Sequence, residues 1–312
     1  MQDSAGYLAA AGTALFWSFT SMFFAAAGRR IGSFTVNQVR IAMALLLLTV
    51  MHGVLTGAFW PAELTGRQAA FLVASGVAGL VIGDTLLFRA FVVLGVKRAL
   101  VIMTLWPALA SLLAWPILGE APSGIVLPAM LVTLSGVALS ILARRSGDAA
   151  NGPPPRVAGI LLALGGAICQ ATGYVLAKPG LAGQDGTSGL ASISGTQVRM
   201  ATAAAILGAI AIGQALAAKA RGRPSSLVEG LSNPVAMVQT FGGAFCGPFL
   251  GVWLSLEAVK HASIGAATTI MSTAPILVIP WSYFVYGERP RALEWVGAAV
   301  AVAGVGLLVA FS

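Results

Sequence analysis

Residues 79–122 read GLVIGDTLLFRAFVVLGVKRALVIMTLWPALASLLAWPILGEAP, and residues 247–290 read GPFLGVWLSLEAVKHASIGAATTIMSTAPILVIPWSYFVYGERP. Laid together without a gap, at the offset of 168 that carries Gly79 to Gly247, they match at Gly79/Gly247, Gly83/Gly251, Met103/Met271 and Pro107/Pro275, and again at Gly119/Gly287, Glu120/Glu288 and Pro122/Pro290. Alanines and leucines coincide by chance in apolar sequence. Met-x-x-x-Pro, Gly-Glu-x-Pro and a Gly-x-x-x-Gly pair in a single frame do not. The register continues to Gly136-Val137 and Gly304-Val305. Upstream, Asn37-Gln38-Val39-Arg40-Ile41-Ala42 answers to Thr196-Gln197-Val198-Arg199-Met200-Ala201, and Gly6, Ala10, Gly12 and Ala14 answer to Gly159, Ala163, Gly165 and Ala167. The chain is one unit written twice.

Composition decides the solvent. Of 312 residues 58% are hydrophobic and 9% charged, whereas soluble domains are about a quarter charged. Apolar runs of about 20 residues recur along the whole chain, the length a helix needs to cross a bilayer. Ten spans are expected, near 7–27, 36–56, 69–94, 98–117, 124–143, 157–178, 194–217, 236–259, 264–285 and 292–311. The fold class is therefore an all-α integral membrane protein. Residues 1–143 form the first five-helix repeat, 144–156 a linker carrying Gly152-Pro153-Pro154-Pro155, and 157–312 the second five-helix repeat. Because each unit has an odd number of spans, the second enters the membrane upside down. Such inverted repeats place a site near the midplane where they meet, and exchange of their conformations gives alternating access.

The net charge of +8 fits loops beside anionic lipid, and no nucleic-acid module is present. Met1-Gln2-Asp3-Ser4 lacks a basic n-region, so the first apolar run reads as a retained helix. Cys169 and Cys246 lie inside spans, without metal spacing or a disulfide framework. Arg29, Arg30, Lys97, Arg98, Arg144, Arg145, Arg156, Lys219, Arg221, Arg223, Arg289 and Arg291 all fall in loops of one face. The face with the termini holds Arg67, Lys178 and Lys260. The charge bias places both termini outside the cytoplasm.

Candidate functional residues are the polar, aromatic and proline positions at depth. Pro107 and Pro275 lie mid-span as a symmetric pair beside Thr104, Ser272 and Thr273, and are read as helix hinges. The Gly79/Gly83 and Gly247/Gly251 pairs indicate close helix contact. A charge at mid-membrane costs about 2.5–3.5 kcal/mol, so it faces a cavity or a partner. Asp84, near the middle of its span, is the strongest candidate for a proton or cation site. Arg89 and its repeat mate Glu257 are expected to pair and lock the halves together. Arg40 and Arg199, one turn inside their spans, read equally as snorkelling anchors or as site residues. Trp17, Trp106, Tyr174 and Trp253 are expected to shape a cavity to which Gln170, Thr104, Ser272 and Thr273 lend hydrogen bonds.

Several of these residues carry a resemblance. The five-span unit, a polar-Arg start to the second span (Arg40, Arg199), a mid-span proline in the fourth (Pro107, Pro275) and Leu118-Gly119-Glu120 with Tyr286-Gly287-Glu288 before the fifth resemble the EamA unit of the drug/metabolite transporter superfamily. The resemblance implies a ten-helix secondary transporter, often an exporter of amino acids or other small metabolites, with both termini cytoplasmic. The charge count opposes that orientation. The expected setting is a multi-pass protein of a bacterial inner membrane, a monomer or weak homodimer in the lipid bilayer, with a small-molecule substrate and no cofactor.

Other functions fare worse. No P-loop is present, so a solute gradient would have to drive transport. A zinc protease needs His-Glu-x-x-His, and the only histidines are His52 and His261. An intramembrane aspartyl protease needs two aspartates at depth, and Asp84 stands alone. A channel would need a ring of filter residues, and none is evident. The main alternative is a carrier or flippase of a lipid-linked or phosphorylated substrate, its phosphate held by Arg40 and Arg199.

Overall fold

In hydrocarbon every backbone amide and carbonyl must be satisfied within the chain, which leaves the helix as the natural element for such apolar runs. The computed structural model describes residues 2–94, 96–122, 124–143, 157–183, 189–222, 226–286 and 290–311, so the 144–156 linker and Glu288 lie outside the described residues. The first repeat comprises α1 (Gln2–Ile31), α2 (Ser33–Thr56), α3 (Gly66–Gly76), α4 (Asp84–Leu94), α5 (Val96–Met103), α6 (Trp106–Leu118) and α7 (Val126–Ala143). The second comprises α8 (Val157–Leu181), α9 (Ser192–Ala220), the short α10 (Ser226–Leu231), α11 (Pro234–Ala244), α12 (Val252–His261), α13 (Ile264–Met271), α14 (Ala274–Tyr286) and α15 (Ala292–Phe311). Among the described residues nine helical spans are long and apolar enough to cross a membrane, and the tenth is the shorter Ile264–Pro280.

Two irregularities occur in both repeats at the same register. The third span continues from α3 to α4 through a π-helical stretch, Val77–Gly83, and the eighth from α11 to α12 through Phe245–Gly251. The offset between them is again 168. Pro248 lacks an amide hydrogen and suits the second stretch, but Leu80 stands at its place in the first. The fourth and ninth spans were expected as single helices kinked at proline. Instead the helix stops at Thr104–Leu105 and at Ser272–Thr273 and restarts with Pro107 and Pro275 in the first turn. Proline is tolerated in a first turn because its missing donor has no intrahelical partner there.

The repeats interlock crosswise. The π stretch of the first repeat packs on α8, the first helix of the second. Gly173 lies so close to Gly79 that an added Cβ would stand 3.0 Å from its Cα, and one on Gly83 would stand 3.2 Å from the Cys169 Cβ. The π stretch of the second repeat packs on α1 in the same way, with Thr20 Cγ2 2.7 Å from the Cβ position of Gly247 and Trp17 Nε1 2.6 Å from that of Gly251. The glycine pairs do make close helix contacts, and each contact is with the opposite repeat. At the far side of the molecule α7 and α15 cross backbone to backbone. A Cβ on Gly297 would lie 2.9 Å from the Ser140 Cα, and one on Gly304 would lie 2.9 Å from the Ala129 carbonyl.

That crossing yields a stability test. Gly297→Leu should lower the melting temperature of the purified protein, at a cost of about 1–3 kcal/mol. Gly306→Leu, on the same helix with no atom within 4 Å of its Cβ position, should leave it unchanged. Differential scanning fluorimetry in detergent distinguishes the two.

Candidate functional site

Where the repeats meet, a cavity of about 600 Å³ runs from mid-depth toward the basic face. Its α1 lining begins at Trp17 and continues through Thr20, Ser21 and Phe24 to Arg29, near the end of the helix, and takes in nothing nearer the N-terminus. From the other side Tyr174 and Gln170 project from the middle of α8. Trp106 and Tyr174 lie against each other, ring centroids 5.3 Å apart, and the Tyr174 hydroxyl donates to Ser255 Oγ at 3.0 Å. This layer closes the cavity floor above a core that includes Ala9, Ala10, Leu256 and Ile264.

Three charged side chains dominate the interior. Arg40 forms an ion pair with Asp84, and both are buried. Its Nε donates to Asn37 Oδ1 at 2.8 Å, and its guanidinium lies between the rings of Phe24 and Phe88, 5.4 and 5.5 Å from their centroids. Gln170 Nε2 reaches the other Asp84 oxygen at 3.4 Å. Arg199 is only 1% exposed. Its guanidinium sits 5.4 Å from the Tyr174 ring centroid, and its Nε and Nη1 have no hydrogen-bond partner among the described residues. Neither arginine is therefore a snorkelling anchor.

The opposite end of the cavity is sealed by polar contacts between the repeats. Glu120 Oε1 lies 2.6 Å from Lys178 Nζ, and its Oε2 accepts the Ile264 amide hydrogen at 2.9 Å. Lys178 also donates to the Ala262 carbonyl at 2.8 Å, and Lys260 donates to the Leu190 carbonyl at 3.0 Å. Both lysines of the terminal face counted in the charge bias after α3 are thus engaged. At the same end Gly6 of α1 lies against Ala262. A second hollow of about 730 Å³ lies on this face, between the α2–α3 loop and the start of α9. His52 borders it, bonding to Ser194 Oγ of α9 at 2.9 Å and through Nδ1 to the Ala58 carbonyl of that loop. It contains none of the buried ion pairs, so the central cavity is the better candidate for the site.

The structure brings together in the central cavity Trp17, Asp84, Thr104, Trp106, Gln170, Tyr174, Ser272 and Pro275, with Arg40 and Arg199. It does not bring in the others. Trp253 packs against Phe249 at 6.2 Å, beside the Ile41–Leu48 face of α2. Thr273 turns its hydroxyl to the Ile270 carbonyl at 2.7 Å, outside the lining, and Pro107 is buried behind Trp106. The expected Arg89–Glu257 lock is corrected: Glu257 pairs with His261 one turn along its own helix at 2.9 Å, and Arg89 is exposed. Phe24 was overlooked, although Trp17, Ser21 and Phe24 follow helical spacing along one face. The ion-pair role of Glu120 was also missed, because the residue had been read only as part of a repeated motif.

A helical membrane protein of two inverted repeats around a cavity open to one face has the architecture of a secondary transporter. The sequence profile described as the EamA-like transporter family matches residues 4–142 and 157–310, and the chain belongs to that family. It is a membrane transporter. One solved structure, described only as a crystal structure of a protein, superposes with a TM-score of 0.72. It shares 17% identity over 97% of this chain and 96% of its own, a likeness that concerns the fold alone. No curated protein matches the chain.

The buried pair carries its own test. Asp84→Asn should destabilise the protein by about 3–5 kcal/mol, because it strands a buried guanidinium. The double variant Arg40→Met/Asp84→Leu should recover most of that loss, read as melting temperature in one detergent.

Proposed function

We propose that this protein is a secondary active exporter or exchanger of small polar metabolites, amino acids among them, working by alternating access of its two repeats. The observation that carries the reading is the asymmetry of the central cavity, open toward the basic face and sealed at the other by Glu120, Lys178 and the Ile264 amide. Loops rich in arginine and lysine face the cytoplasm, so this conformation is the one that loads from inside the cell.

Pro107 and Pro275 stand where the fourth and ninth spans break, and they serve as pivots that let α5–α6 and α13–α14 bend as the seal moves from one face to the other. Asp84 is the candidate coupling group. In this conformation it is the counter-ion of Arg40, and release of that pair would free it to take a proton or a cation. A lipid-linked cargo is the second reading, kept because Arg199 lines the cavity with two guanidinium nitrogens unbonded among the described residues.

Untargeted mass spectrometry of cells and medium tests the reading. The cells to compare are those expressing the protein, those lacking it and those expressing Pro107→Ala/Pro275→Ala. One soluble metabolite class should leave the cell only with the intact protein, and the proline variant should bind it with similar affinity while turning it over several-fold more slowly. Asp84→Asn should lose uphill movement and keep exchange. No change in any soluble pool, with insertion verified, would leave the lipid-linked reading in its place.

A further inference from the structure

The inverted repeat shows what should stand beside each buried arginine. Arg40 and Arg199 are mates in the aligned hexapeptides that open the second and seventh spans. Arg40 meets its acid, Asp84, on the first residue after the π stretch of the third span. The residue in the same position after the π stretch of the eighth span is Val252. Asp84 and Val252 are separated by the offset of 168 that aligns the rest of these spans, and both line the cavity. One repeat supplies a carboxylate to its arginine, and the other presents isopropyl in its place.

The consequence is visible at Arg199. A single carboxylate serves two buried guanidiniums, and it is bonded to Arg40. Arg199 keeps Nε and Nη1 unfilled, although buried donors are almost always bonded. These two nitrogens lie on different edges of the guanidinium, and each edge has the two-donor geometry that suits a carboxylate. The charged lining adds to the asymmetry. Arg29 stands near the mouth, Arg40 and Asp84 neutralise each other, and Arg199 remains at the floor. The Tyr174 ring lies against it, and Trp106 and Val252 line the same cavity, so the bed around the guanidinium is largely apolar and aromatic.

We infer that the substrate is a carboxylate-bearing molecule whose carboxylate docks on Arg199, taking the place that the repeat gives to Asp84 and that Val252 leaves empty. This rests on the transporter reading above and narrows it: a cargo without a carboxylate, or one bearing phosphate instead, does not fit. Arg199 is the specificity-determining residue, and the aromatic floor holds the body of the molecule. The site differs from the coupling candidate, because Asp84 stays with Arg40 while the substrate binds.

The test uses the full-length protein in detergent, with melting temperature and tryptophan fluorescence as readouts. The probes are 3-phenylpropionate, its primary amide and phenyl phosphate. The acid should stabilise the wild type, and the amide should bind about tenfold more weakly or worse, as expected on losing a charge-assisted pair of hydrogen bonds. Val252→Asp should place the missing acid beside Arg199. It should melt above Val252→Asn and respond to none of the probes. Arg199→Gln should bind the acid and the amide equally. The inference is overturned if the amide binds the wild type as well as the acid does, if phenyl phosphate is preferred, or if no probe binds. It is overturned equally if Val252→Asp keeps its response to the acid or melts no higher than Val252→Asn. Export of a neutral metabolite in the cell experiment would sink this inference and leave the transporter standing. Export of no soluble metabolite would sink the small-polar-metabolite reading itself and leave the lipid-linked one.

Discussion

The structure depends on close glycine-mediated contact between the first span of each repeat and the third span of the other. Gly79 and Gly83 admit α8, and Gly247 and Gly251 admit α1, at separations where an added Cβ would force the neighbouring side chains to give way. In a bilayer the hydrophobic effect does not draw helices together, so van der Waals packing of small residues must do it. The same contacts fix where the cavity is. Because α1 and α8 are held by the repeat to which they do not belong, their middle turns carry Trp17, Gln170 and Tyr174 into the space between the halves. The π stretches lie at these contacts, and the residues that follow them, Asp84 and Val252, are delivered to the cavity wall.

Symmetric scaffolding and asymmetric chemistry coexist here. The π stretches, the helix breaks before Pro107 and Pro275, and the two arginines all obey the repeat. The two faces differ in this conformation: Glu120, Lys178 and the Ile264 amide join the repeats at one face while the cavity reaches toward the other. An inverted repeat in two identical conformations would be symmetric and would have no open face. The difference between the faces is therefore conformational, while the difference between Asp84 and Val252 is written in the sequence.

Much of this was legible beforehand, and the reasons are specific. Span number and positions follow from apolar length, and the duplication follows from glycine, proline and glutamate in a shared frame. Depth in the membrane was legible for Asp84, Arg40 and Arg199, because their distance from a span end is a count of residues at about 1.5 Å each. Partnership was not. Whether Arg40 meets Asp84, or Glu257 meets Arg89, depends on helix rotation, which apolar composition on every face leaves open. Trp253 failed for that reason: it packs toward α2 and away from the cavity. The local 268–273 backbone also escaped, since Ser272 and Thr273 sit one residue apart and face different ways.

The placement of the two arginines makes the two half-cycles of the proposed transport unequal. Arg40 is seven residues into α2, which starts at the basic face, and Arg199 is seven residues into α9, which starts at the opposite face. At about 1.5 Å per residue each lies roughly 10 Å from its own end. With the cavity open to the basic face, Arg199 is at the floor and Arg40 is on the way in. When the repeats exchange conformations these places are exchanged: Arg199 comes to line the new mouth, and Arg40, already satisfied by Asp84, becomes the floor. On the proposal that a carboxylate docks on Arg199, it would be carried from the deepest point of one cavity to the shallow part of the other. There water competes for the guanidinium, and the floor offers no unfilled cation to retain the substrate. One acid where symmetry would place two is enough to make two topologically equivalent half-cycles unequal.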